Sequence, residues 1–396
     1  MSISPFAKRV FITTLSFVIV ISASAAVIFW ARGFKFDRNQ GLIKRTGIIV
    51  VTSNPQGGKV YLDDKLTGAT NTTITFLDPK TYTLKITKDG FWDWQKTIDV
   101  QADLAVEIEA LLIPQAPELK PLTSTGAINP TLSPDGAKIA YIVPGVAPTS
   151  GIWILTLNDR PFGIGRDSRQ ISLSTKSVQY DNARLTWAPD SNSILASIAT
   201  GTQATHFILP TNVFNNNPQP QTTITVNQTL QDWQETIRTN QSTILGKVPD
   251  NVRLEATQAA SYATKTPEAT LTPTVNQSPF GVRFSPDEEK ILYQVPSGNK
   301  IIYRVFDLKK DKVYDLPDIS KDATTSWFPD SSHLMIIEKG QISLMEKDGF
   351  NKTTVFGGSF ENGFVFAYPN ASRIVINTTF NQTNSSLPNL YSIVLH

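Results

Sequence analysis

Hydrophobic patterning changes regime several times along this chain. Between Arg9 and Arg32 the segment VFITTLSFVIVISASAAVIFWA carries no charge. As a helix rising 1.5 Å per residue, its 22 residues reach about 33 Å, enough to cross a hydrocarbon core of about 30 Å. From residue 46 to about 114 the pattern becomes short alternating runs separated by Gly, Asp and Asn-Pro turns, which predict antiparallel strands. Ile48, Val50 and Thr52 point one way before the turn Asn54-Pro55-Gln56-Gly57-Gly58. Val60 and Leu62 resume, and Tyr82, Leu84 and Ile86 share one face of a later strand. Such strands form a small β-sandwich.

From residue 118 to 396 a unit repeats: an apolar strand, a bulky residue, then x-Pro-Asp and a second apolar strand. It reads TLSPDGAKIAYIV, LTWAPDSNSILASI, VRFSPDEEKILYQV, TSWFPDSSHLMII and VFAYPNASRIVIN. The corner pairs are Pro134-Asp135, Pro189-Asp190, Pro286-Asp287, Pro329-Asp330 and Pro369-Asn370. Proline presets the first turn dihedral, and Asp or Asn accepts a backbone hydrogen bond, so each pair predicts a hairpin corner. The last two spacings, 43 and 40 residues, suit one four-stranded propeller blade; the first, 55, suits a blade with a long loop. The bulky residue two before the proline (Leu132, Trp187, Phe284, Trp327) should fill space between neighbouring blades, and Ala367 breaks the rule. Further strands are expected at Gly151, Asn299, Gly340 and Asn389. The chain ends after what should be a third strand, so residues near Leu119 to Ser124 should complete the last blade and close the ring.

The long interval between Pro189 and Pro286 holds Leu230, Trp233, Ile237 and Ile244 at helical spacing, with Gly246 as a stop, then a Thr- and Pro-rich stretch. A helical insertion at about 227–278 within five blades is the favoured reading. Val248-Pro249-Asp250 is the one candidate for a sixth corner. The helix either caps the propeller or docks a partner.

Two of these regions resemble known families. Ser53 to Gly57 (S-x-P-x-G), Val60 to Gly68 (V-Y-L-D-D-x-x-x-G) and Tyr82 to Phe91 (Y-x-L-x-I-x-K-x-G-F) resemble a PEGA domain. Gly58 stands where alanine is usual, and Asn71 where a proline often follows the threonine. The resemblance implies a cell-surface setting and no catalytic residues. The five corners resemble the TolB-like, WD-type propeller, whose blades carry W-S-P-D-G. Ser133 to Gly136 matches fully and the others in part. In that family the motif Asp residues are structural, so the resemblance implies no chemistry for them, and acids at turns are usually solvated.

The resulting fold class is mainly β: segment 1–9 basic, 10–31 a transmembrane anchor, 32–45 a juxtamembrane linker, 46–114 a sandwich, 118–396 a propeller. Ala23-Ser24-Ala25 resembles a signal cleavage site, but the apolar run continues through Val27, Ile28, Phe29 and Trp30, and Trp30 with Arg32 and Lys35 suits an interfacial anchor. Charge counting places Arg32, Lys35, Arg38, Lys44 and Arg45 against Lys8 and Arg9, which by the positive-inside rule puts the large part in the cytoplasm. The domain resemblances point the other way, and an extracytoplasmic soluble part is the expectation.

Composition narrows the chemistry. Lys and Arg number 36 against 34 Asp and Glu, a net charge of +2, which gives no footprint for nucleic acid. The absence of cysteine removes disulfides, thiolate metal sites and thiol nucleophiles. The three histidines are His206, His333 and His396. His333 is expected on the surface of a strand, and His206 in the strand ATHFILP with no nucleophile beside it in sequence. No G-x-S-x-G, H-E-x-x-H, phosphate loop or EF-hand spacing occurs. No catalytic residue, metal or cofactor is expected. The candidate binding surface is Trp92 with Trp94, two apart on an extended segment and so on one face. They form either an aromatic platform for an envelope protein or polysaccharide, or packing against the linker or next domain. A non-catalytic, envelope-anchored binding or scaffold protein follows. The alternatives are a propeller-containing hydrolase or enzyme accessory, and a cytoplasmic-facing membrane-bound sensor.

Overall fold

The computed structural model describes residues 5–31, 34–37, 42–158, 168–200, 203–263, 282–297, 300–317, 319–320, 322–361, 363–380 and 387–396. The chain divides into two compact units, Met1–Gln115 and Ala116–His396.

The first unit opens with helix α1 (Pro5–Ala31). Its stretch Arg9–Ile28 has mean hydropathy 2.3 and buries none of its residues, so it meets the requirement for a membrane span; a signal sequence meets the same requirement. Thr13, Thr14 and Ser16 donate to carbonyls one turn back, which satisfies their hydroxyls within the helix. The expected linker carries a hairpin, β1 (Phe34–Asp37) with β2 (Leu42–Arg45).

Seven strands then make the sandwich: β3 (Gly47–Asn54), β4 (Lys59–Leu62), β5 (Lys65–Ala69), β6 (Thr72–Leu77), β7 (Thr81–Thr87), β8 (Trp94–Asp99) and β9 (Ala105–Leu111). One sheet has the order β6-β3-β9 and the other β5-β4-β7-β8. Val60, Leu62, Tyr82, Leu84 and Ile86 enter the core as the alternation requires. On β3 the inward residues are Ile49 and Val51, not Ile48 and Val50. That strand is apolar on both sides, so its alternation alone does not say which face is buried. At Gly58 a Cβ would stand 2.7 Å from Ile86 Cγ2, so this packing accepts glycine and would have to shift for alanine.

The second unit contains five sheets among the described residues. The first blade is β11 (Ile128–Leu132), β12 (Lys138–Val143), β13 (Gly151–Thr156) and β14 (Ser168–Leu173). The second has three strands, β15 (Ala183–Trp187), β16 (Ser193–Thr200) and β17 (Gln203–Pro210). The third is β18 (Val282–Phe284), β19 (Lys290–Ser297), β20 (Lys300–Asp307) and β21 (Lys312–Leu316). The fourth is β22 (Thr324–Trp327), β23 (His333–Glu338), β24 (Gln341–Glu346) and β25 (Thr353–Gly357). The fifth joins both ends of the unit: β26 (Val365–Ala367), β27 (Arg373–Thr378) and β28 (Asn389–Val394), with β10 (Leu119–Pro121) paired antiparallel to β28 as its outer strand. The ring-closing strand expected near Leu119 is therefore present, and the described residues form five blades.

Each proline corner lies between the first and second strands of its own blade. Neighbouring blades share cores: first with second, first with fifth, and third with fourth. The insertion is two helices, α2 (Thr223–Leu245) and α3 (Asp250–Ala263). On α2, Ile244 is buried and Leu230, Trp233 and Ile237 are half-buried, the expected stripe. Pro249 is no sixth corner. It immediately precedes α3, and its carbonyl accepts the first helical hydrogen bond, from Arg253 N. The Thr- and Pro-rich stretch after residue 263 lies outside the described residues. Leu245, Val248, Val252 and Ala256 cover Ile291, Tyr293 and Phe306, the face of the third blade opposite its contact with the fourth. Phe284 thus packs under helices rather than against a neighbouring blade.

Candidate binding site

The five corners show how local chemistry places the repeats. In each, the Asp or Asn side-chain Oδ1 accepts from the backbone N–H two residues on: Ala137 at 3.0 Å, Asn192 at 2.9 Å, Glu289 at 3.1 Å, Ser332 at 2.9 Å and Ser372 at 3.1 Å. The residue following the acid or amide is left-handed in every copy: Gly136, Ser191, Glu288, Ser331 and Ala371. Only Gly136 does this at no steric cost.

All four motif acids are exposed, as their turn positions imply, and two of them also meet a neighbouring basic side chain. Asp287 Oδ2 meets Lys290 Nζ at 2.5 Å. Asp330 Oδ2 meets His333 Nδ1 at 2.6 Å. Burial alone would raise the Asp330 carboxyl, but the hydrogen bond and charge of His333 outweigh it and hold it below the usual range. His333 is 6% exposed, so the surface placement expected for it is wrong: the corner folds its imidazole back onto Asp330. Across the blade 3–4 boundary, Asp307 is buried and takes Lys347 Nζ at 2.6 Å. Burial opposes its ionisation, yet that bond and the Lys310 N–H keep its carboxyl low.

Blade-to-blade contacts use the same motif. Trp187 Nε1 donates to Thr131 O at 3.1 Å, and Trp327 Nε1 to Arg283 O at 2.8 Å. Ser191 Oγ accepts from Asp135 N and Ser331 Oγ from Asp287 N, both at 3.1 Å. A Trp two before the proline and a Ser two after it therefore staple a blade to the one before. The staples join the first blade to the second and the third to the fourth. Sequence reading assigned the tryptophans to space-filling and missed their hydrogen bonds; the Trp-x-Pro-Asp-Ser pattern was the signal available.

The proposed aromatic pair is split. Trp94 is 3% exposed and belongs to the sandwich core, whereas Trp92 is 49% exposed. Strand β8 starts only at Trp94. Trp92 lies before it and donates its N–H to Ile113 O at 2.8 Å, so the two-residue alternation does not run through both. Trp92 alone remains as a surface aromatic, beside the Lys85–Asp93 ion pair at 2.8 Å.

His206 has a partner that sequence order hides. It faces Ser197 across β16 and β17, with Ser197 Oγ 2.8 Å from Nδ1. Among the described residues no carboxylate contacts His206, and no group of three His, Asp or Glu is arranged to hold a metal.

Residues 46–115 match the PEGA domain family. No curated protein matches the chain. Among solved structures, TolB from Acinetobacter baumannii is 12% identical, covering 79% of this chain and 59% of that one, with TM-score 0.24. An oligogalacturonate lyase in complex with manganese is 9% identical over 80% of this chain and 86% of that one, TM-score 0.29. The β-propeller domain of the Trilobed protease from Pyrococcus furiosus is 13% identical over 68% and 69%, TM-score 0.21. This chain thus spans under two thirds of the length of that TolB. The propeller architecture stands on the strand order itself.

Proposed function

We propose that the protein is a membrane-anchored binding or scaffold protein of the cell envelope, with its soluble part outside the cytoplasm and no catalytic role. The carrying observation is the succession on one chain of an apolar helix with no buried residue, a PEGA domain, and a propeller whose motif acids are all engaged in corner hydrogen bonds. The helix supplies the attachment. The propeller offers a ring face built on rigid strands, suited to presenting a surface to a protein or glycan. Trp92, exposed on the sandwich, is the aromatic contact this reading assigns to an envelope ligand.

Two measurements test it. Protease treatment of intact cells should digest the soluble part of the tagged full-length protein; protection would move it to the cytoplasm, where the basic flank from Arg32 to Arg45 points. The detergent-solubilised full chain should retain a defined component from envelope extracts, and Trp92→Ala should weaken that retention. Retention unaffected by Trp92→Ala removes the aromatic contact, and no retention at all removes the binding role.

A further inference from the structure

The first strands of the five blades hold equivalent positions, because the residue three before each motif proline pairs with the residue six after it. The pairs are Thr131 with Ala140, Thr186 with Leu195, Arg283 with Leu292, Ser326 with Met335, and Phe366 with Val375. This tier belongs to strands that pair on one side only and so form the inner edge of every sheet. Four of its members are neutral. Arg283 is the exception.

Its guanidinium is half-buried where the first strands of blades 3 and 4 meet. Nη1 donates to Thr325 O and Thr325 Oγ1. Both acceptors are neutral, and among the described residues no carboxylate pairs with it. Burial pushes its pKa down, with Tyr303 opposing that shift in part. Every other half-buried or buried cation described around this interface has an acid: Lys290 has Asp287, Arg304 has Glu255 and Asp315, and Lys347 has Asp307. In the same tier one blade on, Ser326 Oγ is buried with no hydrogen-bond partner among the described residues. A lone guanidinium with unused donors in a neutral surround is costly unless an anion completes it.

We propose that Arg283 is the recognition cation of an anion site on the inner tier of the propeller, and that its ligand is a carboxylate. The planar fork of a guanidinium matches a carboxylate through two parallel hydrogen bonds. One positive charge in an otherwise neutral tier balances a singly charged anion; a phosphate dianion would bring a second charge with nothing to meet it. The site rests on the binding-protein reading and names the chemistry that the propeller recognises.

The test uses the full chain in detergent and follows thermal unfolding of the propeller while sodium acetate replaces sodium chloride at constant ionic strength, with inorganic phosphate as the comparison anion. Acetate should raise the transition saturably, more than phosphate does. Arg283→Gln should need at least tenfold more acetate for the same shift, Arg283→Lys should keep part of the response, and Arg238→Gln on the exposed face of α2 should keep all of it. In chloride alone, Arg283→Gln should unfold no earlier than the wild type, because it removes an uncompensated charge. A wild-type protein with no saturable acetate response overturns the proposal whatever the variants do, and so does an equal response in Arg283→Gln. Loss of this response with retained capture of an envelope component would discard the anion site and leave the binding role standing.

Discussion

Ring closure depends on a few contacts between residues far apart in sequence, and Asn389 concentrates them. Its Oδ1 accepts from Thr123 Oγ1 and from Gly126 N, each at 3.0 Å, so one amide on β28 holds the segment that follows β10. Thr123 Oγ1 in turn accepts from Leu390 N at 2.9 Å. Replacing Asn389 with Ala removes these two closing hydrogen bonds, each contributing about 1 kcal/mol net, along with a long local one from Nδ2 to Leu387 O, and leaves the buried Gly126 N–H unpaired, a penalty of about 1–3 kcal/mol. The two bonds overlap with that penalty, so the expected loss is about 2–4 kcal/mol. Urea unfolding followed by tryptophan fluorescence should show the propeller transition moving to lower urea with an unchanged slope. Asn389→Asp keeps the acceptor and should recover most of the loss. Thr123→Val combined with Asn389→Ala should cost less than the sum of the single changes, since both break one contact. A loss below about 0.5 kcal/mol for Asn389→Ala, the size of an ordinary surface change, would refute the claim that this strand closes the ring.

Trp94→Ala should destabilise the sandwich by about 3–5 kcal/mol, as loss of a large core aromatic does, while Trp92→Ala stays within about 0.5 kcal/mol; chemical denaturation of the full chain separates the two. The depressed carboxyl of Asp330 contributes stability that is complete above its unfolded value near pH 4 and is lost as pH falls through the lower folded value. Asp330→Asn should therefore be less stable at neutral pH and lose less between about pH 4 and pH 2; parallel stability curves would contradict this. Glu255 fastens α3 to the third blade, with Oε1 on Arg304 and Oε2 3.1 Å from the Tyr293 hydroxyl. Burial is the main cause, with Glu255 adding to it, of a Tyr293 phenol raised well above its ordinary value. Glu255→Ala should loosen the helix by about 1 kcal/mol, read as about fivefold faster amide exchange over residues 250–256, with the blade strands unchanged.

Features that arise within a few residues were legible in the amino-acid order. The corners at Pro134, Pro189, Pro286, Pro329 and Pro369 are local because proline restricts its own dihedral and the next side chain bonds two residues on. Uninterrupted apolarity alone marks α1, and its β-strand counterpart, alternation, marks Tyr82, Leu84 and Ile86. The closing strand at Leu119 was predictable because a blade one strand short has to find its edge elsewhere.

What tertiary structure decided has a common origin in partners distant along the chain. Trp92 and Trp94 differ because Ile113, some twenty residues on, takes the N–H of the first while the core of two sheets takes the ring of the second. His333 is buried because its corner folds it onto Asp330. Phe284 lies under α3 because a helix, not a blade, covers that face. Among the described residues Arg283 is left without an acid by which strands the ring brings beside it. Local geometry needs only the neighbours that the order of residues supplies, whereas burial and charge pairing depend on which surfaces the closed ring sets against each other.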